Sequence, residues 1–201
     1  MSAENIVRSI SGRLSLRAPQ AESLQRLHHA LESIPALHDA KVRSPDELAT
    51  MIAALSAQFS SLTDFEREFP SLCFAVATGV GKTRLMGAFI SYLHAAYGYQ
   101  HFFVLAPNLT IYDKLIRDFT PNTPKYVFKG IAEFVTTVPE VITGETYEQR
   151  GDLVSQALDA PVQINIFTSR YQLHLPTVEE LESEIRREWR QLMPETTIKE
   201  N

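Results

Sequence analysis

A parallel β-sheet flanked by helices, with a helical segment ahead of it, is the fold class this sequence predicts, and three observations predict it. Apolar runs at 72–77 and 102–106, with a third at 162–167 that partly alternates, have the length and composition of buried strands. Helix-length segments separate these runs, as in a sheet covered by helices on its faces. The first seventy residues carry helical periodicity instead. The expected organisation is a helical segment at 1–69, an α/β lobe at 70–170 and a charged helix at 171–201.

Each element has its own justification. Leu24, Leu27, His28 and Leu31 recur at helical spacing over 20–34, and Pro35 ends the pattern. A second helix opens at Ser44-Pro45-Asp46-Glu47, with Ser44 as N-cap, Pro45 in the first helical position and Glu47 completing a capping box. Its buried stripe is Leu48, Met51, Ile52, Leu55 and Phe59. Leu72-Cys73-Phe74-Ala75-Val76-Ala77 reads as the first strand, with Cys73 a small buried hydrophobe inside it. The apolar-periodic stretch 85–97 reads as a helix, and Phe102-Phe103-Val104-Leu105-Ala106, stopped by Pro107, as the second strand. Weaker strands are expected at 126–128 and 138–142, and a stronger one at 162–167. From Thr177 onward Glu179, Glu180, Glu182, Glu184, Arg186, Arg187, Glu188 and Arg190 crowd one helix whose other side carries Leu181, Ile185, Trp189 and Leu192. That pattern is a solvated face with i,i+4 pairs.

Composition narrows the function classes. With 201 residues, 44% hydrophobic and 21% charged, the chain is ordinary globular material for one sizeable domain. A net charge of -5 argues against an all-over basic nucleic-acid binder and leaves room for a local groove. The single cysteine excludes a disulfide framework or a thiolate zinc site within the chain. His28 and His29 point about 100° apart on a helix, and the other histidines add no i,i+4 ligand spacing, so no metal-binding histidine set is expected. The first residues lack the layout of a secretory signal, and no run of roughly eighteen apolar residues occurs. A cytoplasmic protein with no membrane partner is expected.

The chemistry concentrates in Thr78-Gly79-Val80-Gly81-Lys82-Thr83, set between a predicted strand and a predicted helix. Glycines at 79 and 81 allow backbone torsions that let several N–H groups converge on phosphate oxygens at a helix N-terminus. Lys82 would reach the β- and γ-phosphates and the Thr83 hydroxyl would bind Mg²⁺, so ATP and Mg²⁺ are the expected cofactors. Lys82 and Thr83 are the catalytic candidates, and Thr78, Gly79, Val80, Gly81 and Arg84 complete the cofactor-binding stretch. The strict pattern G-x-x-x-x-G-K-[ST] asks for glycine at position 76, where this chain has Val76.

Three motifs in order carry a family resemblance: Arg17-Ala18-Pro19-Gln20, the loop at 77–83, and Val104-Leu105-Ala106-Pro107-Asn108-Leu109-Thr110. Together they resemble superfamily-two DEAD/DEAH-like helicases, most of all the restriction (Res) subunit of type III restriction endonucleases. The resemblance spans roughly 14–168 and implies a partial RecA-like P-loop NTPase lobe. It also implies that Gln20 reads the adenine edge, and that Pro107, Asn108 and Thr110 contact the nucleic-acid backbone, with Thr143 and Gly144 facing the same groove. Double-stranded DNA and a modification (methyltransferase) subunit are the partners it implies. Plainer readings stand beside these. Gln20 is also an ordinary polar residue at a helix start, Asn108 also a strand terminator, and Lys114 and Arg117, one turn apart, either touch phosphates or lie on a solvated face.

A motor of this type also needs an acidic pair at a strand end beside the phosphate loop. Downstream of Thr83 no Asp-Glu pair closes an apolar run; Asp46-Glu47 and Glu179-Glu180 stand at helix starts. The sequence therefore reads as the N-terminal portion of an ATP-dependent DNA helicase or translocase that binds nucleotide and, alone, is deficient in hydrolysis. A non-catalytic nucleotide- or partner-binding module and a small P-loop kinase or nucleotidase are the alternatives. Val76 and the few arginines over 85–165 count against the last.

Overall fold

The computed structural model describes residues 2–38, 44–65 and 69–159. Two compact units divide the chain, Met1–Ile166 and Phe167–Asn201, and the second lies outside the described residues. So do the expected strand at 162–167 and the charged helix from Thr177.

Helix α1 (Ala3–Arg13) starts at Ser2, whose hydroxyl accepts from the Asn5 N–H at 3.4 Å. It buries Val7 and Ile10, and Leu14 follows at its C-cap, fully buried. Helix α2 (Ala18–Ser33) covers the stretch where the periodicity predicts a helix, opening with Pro19 in its first turn. Leu24, Leu27 and Leu31 form its buried stripe, and Pro35 turns the chain into a short 3₁₀ segment, Pro35–His38. Helix α3 (Pro45–Ser56) carries the predicted capping box: Ser44 Oγ accepts from the Glu47 N–H at 3.3 Å, and Glu47 Oε2 accepts from the Ser44 N–H at 2.8 Å. After it come α4 (Lys82–Tyr97), α5 (Leu109–Phe119), α6 (Ala132–Thr136), a 3₁₀ segment Tyr147–Arg150, and α7 (Gly151–Asp159).

Helices α1, α2 and α4 pack on one another. Their shared core includes Leu14, Leu24, Tyr92 and Phe128, none more than 1% exposed. This core joins side chains of the N-terminal helices to those of α4 and of the turn at 126–128, and burying each such side chain is worth about 1.5–3 kcal/mol. A second cluster joins Ala30 and Ile34 of α2 to Met51 and Leu55 of α3 and to Phe65.

The expected sheet is not formed among the described residues. Segments 72–77 and 102–106 are irregular, and no backbone hydrogen bond joins them. The apolar residues of the second are largely outside: Phe103 is 53% exposed and Leu105 70%. A parallel pair needs a crossover connection, and α4 lies between these two segments, but Leu72, Phe74 and Phe102 pack against the helical core instead. The third strong strand of the sequence, 162–167, lies outside the described residues. Two further expectations change with the sheet. Cys73 is exposed rather than a buried strand residue. Tyr126, Val127 and Phe128 are buried as expected of a strand, but in a turn stacked under α4. The weak strand candidate 138–142 is irregular as well.

Candidate functional site

The phosphate-loop residues form a tight turn that delivers the chain into α4. Gly79 and Gly81 both take left-handed backbone conformations, φ +81° and +94°, which residues with a side chain adopt only at a cost. Gly81 is the N-cap of α4, and its carbonyl accepts from the N–H groups of Arg84 (3.0 Å) and Leu85 (3.1 Å). The N–H groups of Gly79, Gly81, Lys82 and Thr83 meet no acceptor among the described residues. Lys82 is exposed and likewise has no partner there. The site therefore offers several unspent donors and one ammonium group at the positive end of a 16-residue helix, the arrangement that suits an anion.

The loop is clasped from the side by the start of α2. Gln20, 2% exposed, donates from Nε2 to the Gly81 carbonyl at 2.9 Å and accepts at Oε1 from the Arg17 N–H at 2.8 Å. Arg17 donates to the Gly79 carbonyl at 3.3 Å. The residue expected to read adenine thus stands beside the loop with its amide engaged on the loop backbone. Arg84, counted with the cofactor-binding stretch, donates to the Leu14 carbonyl at 2.9 Å and ties α4 to the end of α1.

Helix α5 reaches the same place from the other direction. Lys114 donates to Thr83 Oγ1 at 2.9 Å and pairs with Asp118 at 2.6 Å. Asp118 is 7% exposed, and its carbonyl accepts from the Val127 N–H at 2.9 Å. Of the two readings left open for Lys114, the solvated face gives way to a contact with the loop. The sequence marks the Lys114 and Asp118 spacing as an i,i+4 pair; nothing in it shows that the pair meets Thr83, thirty-one positions earlier. Thr83 Oγ1 thus accepts from a cationic donor supplied by the chain itself.

The residues expected to meet nucleic acid fall in two places. Pro107, Asn108 and Thr110 are exposed at the start of α5, where Asn108 Oδ1 caps the helix by accepting from the Ile111 N–H at 3.0 Å. Thr143 and Gly144 sit in a turn in which the Thr143 N–H donates to Thr146 Oγ1 at 2.9 Å. They line a cleft of about 1020 Å³ together with 102–106, and none of the loop residues lines it. Among the described residues no helix is long and apolar enough to cross a membrane.

A family model described as type III restriction enzyme, res subunit, matches residues 13–197. No curated protein and no solved structure matches the chain.

Proposed function

The chain belongs to the type III restriction enzyme res subunit family, and from that premise we propose that it binds ATP with Mg²⁺ at 78–83 as part of a cytoplasmic DNA helicase or translocase. Membership makes this a helicase-like, ATP-binding type of domain with an expected RecA-like phosphate-loop fold. The observation that carries the nucleotide assignment is the loop itself: two left-handed glycines and, among the described residues, unspent N–H groups at 79, 81, 82 and 83 and a Lys82 without a partner at the N-terminus of α4. Phosphate oxygens satisfy all of these donors at once.

Within this reading the backbone N–H groups and Lys82 hold the β- and γ-phosphates, and Thr83 Oγ1 takes the Mg²⁺. Thr83 Oγ1 would hold Mg²⁺, which would supply positive charge to offset that of the β- and γ-phosphates. Gln20 and Arg17 keep the loop carbonyls turned toward α2, which leaves the N–H face for the ligand. Pro107, Asn108, Thr110, Thr143 and Gly144 serve the DNA backbone, and a modification subunit is the protein partner. Turnover needs an oriented water and stabilisation of charge developing on the γ-phosphate. No Asp-Glu pair closes an apolar run after Thr83, and Asp118, joined to Thr83 only through Lys114, is engaged by that ammonium. The chain therefore binds nucleotide and hydrolyses it negligibly, with or without DNA.

Calorimetric titration with ATP and Mg²⁺ tests the assignment. Lys82→Ala removes a charge-assisted contact worth about 1.5–3 kcal/mol, so affinity falls tenfold or more. Equal affinity for the native chain and the variant overturns the site. Phosphate release measured beside the same variant tests the second part, and DNA-stimulated release that vanishes with Lys82 refutes the absence of turnover.

A further inference from the structure

Thr83 presents its hydroxyl to a cation that the chain itself supplies. Lys114 Nζ stands 2.9 Å from Thr83 Oγ1 and 2.6 Å from Asp118 Oδ2, so the ammonium lies between a loop hydroxyl and a carboxylate. Its setting is only half open: the Lys114 side chain is 42% exposed and that of Asp118 9%. An ordinary i,i+4 pair on a solvated face would need only the carboxylate. Here the lysine has a second, long-range acceptor, contributed by the residue that follows Lys82.

Resting on the nucleotide reading above, we propose that Lys114 is a resident cation of the phosphate site: it occupies Thr83 in the nucleotide-free chain and yields it to Mg²⁺ on binding of the metal–nucleotide complex. The chemistry follows from what each cation can do. An ammonium group donates hydrogen bonds to Thr83 Oγ1 and can do the same for a nearby phosphate oxygen, while Mg²⁺ coordinates the hydroxyl oxygen through a lone pair. Both use the same oxygen, and two positive charges on it repel, so they take turns. When no metal is present, Lys114 remains at the site and supplies part of the missing positive charge. When Mg²⁺ arrives, Asp118 retains the displaced ammonium, and the carboxylate is not left buried without a partner. Lys114 is thus a positioning residue whose signature is the metal dependence of nucleotide binding.

The test is the ratio of ADP dissociation constants in excess EDTA and in excess Mg²⁺, measured by calorimetry for the native chain, Lys114→Met and Lys114→Arg. Loss of one charge-assisted contact in the metal-free state raises the ratio about tenfold in Lys114→Met. Lys114→Arg, which keeps the charge, stays within about threefold of native. An unchanged ratio in Lys114→Met overturns the proposal, as does Lys114→Arg behaving like Lys114→Met. If binding in all three chains remains sensitive to Lys82→Ala, either of those results leaves the nucleotide site standing. If the native chain binds no ADP in either condition, or binding ignores Lys82, the site itself falls and this inference with it. Matching circular dichroism spectra and melting curves exclude a folding defect as the source of any difference.

Discussion

Replacing Gly81 by alanine probes the clasp between α2 and the phosphate loop. Gly81 stands at φ +94° and ψ 54°, a left-handed conformation that costs a residue with a side chain about 1–2 kcal/mol. The added Cβ would also lie 2.8 Å from Gln20 Nε2. Gln20 is buried and cannot swing aside freely, so its bonds to the Gly81 carbonyl (2.9 Å) and the Arg17 N–H (2.8 Å) are both put at risk. At about 0.5–1.5 kcal/mol net for each bond, the clash brings the total to about 2–5 kcal/mol. Gly79 is the control. Its φ is +81°, but a Cβ there meets nothing within 4 Å, so Gly79→Ala costs only the conformational part, about 1–2 kcal/mol. Urea unfolding followed by circular dichroism measures both. In a Gln20→Ala background the cost of Gly81→Ala falls to that of Gly79→Ala, a coupling of about 1–3 kcal/mol. Equal costs for the two glycines, or a Gly81→Ala penalty that persists without Gln20, would refute the clasp.

Two other substitutions test the core that supports the loop. Gly87→Ala should destabilise by about 1–3 kcal/mol despite the better helix propensity of alanine, because the new Cβ would lie 2.9 Å from Val127 Cβ and 3.0 Å from its carbonyl oxygen; a melting temperature equal to or above native contradicts that close approach. Tyr92→Phe removes the hydroxyl that shares a 2.7 Å hydrogen bond with His28 Nδ1 and lies 3.2 Å from the Tyr97 hydroxyl, at a cost of about 1–3 kcal/mol from the buried partner left behind. Burial, with Tyr97 adding to it, pushes the Tyr92 phenol well above its ordinary range. The folded chain therefore keeps this proton where the unfolded chain loses it, and native stability falls as pH rises above about 10. Tyr92→Phe shows a shallower alkaline decline, and an identical decline in both chains would contradict the assignment.

How far the fold was legible depended on the range of the forces involved. The α3 capping box, Ser44 with Glu47, is satisfied within four residues and is readable in the sequence with no knowledge of the rest of the molecule. The α2 stripe of Leu24, Leu27 and Leu31 is equally local in its periodicity. Segments 72–77 and 102–106 are different, because an apolar run states that a segment is to be buried and leaves open what buries it. In the described residues Leu72, Phe74 and Phe102 pack on the helical core while Phe103, Val104 and Leu105 stay exposed. Tyr126-Val127-Phe128 makes the converse point: a buried apolar triplet has a strand's composition, and a turn pinned by the Val127 N–H on the Asp118 carbonyl satisfies the same demand for burial.

The candidate site divides along the same line. Gly79, Gly81, Lys82 and Thr83 are contiguous, and their types follow from what a backbone cradle for phosphate requires, so the loop could be read directly. The side chains that hold the loop come from residues 31 to 62 positions away, and their polar character alone does not tell a ligand-reading group from a structural one. Gln20 shows the difficulty: an amide can meet an adenine edge or a pair of backbone groups with the same two atoms, and here it bridges Arg17 and Gly81. Asp118 shows it more sharply. An acidic residue in the last turn of α5 carries no strand-end signature, yet one i,i+4 step to Lys114 and one contact from Lys114 to Thr83 connect it to the candidate loop. A search for acidic pairs closing apolar runs passes over such a residue, because its route to the site runs through another side chain. The link from Asp118 through Lys114 to Thr83 depends on where α5 sits relative to the start of α4, and so belongs to the tertiary structure and to no local motif.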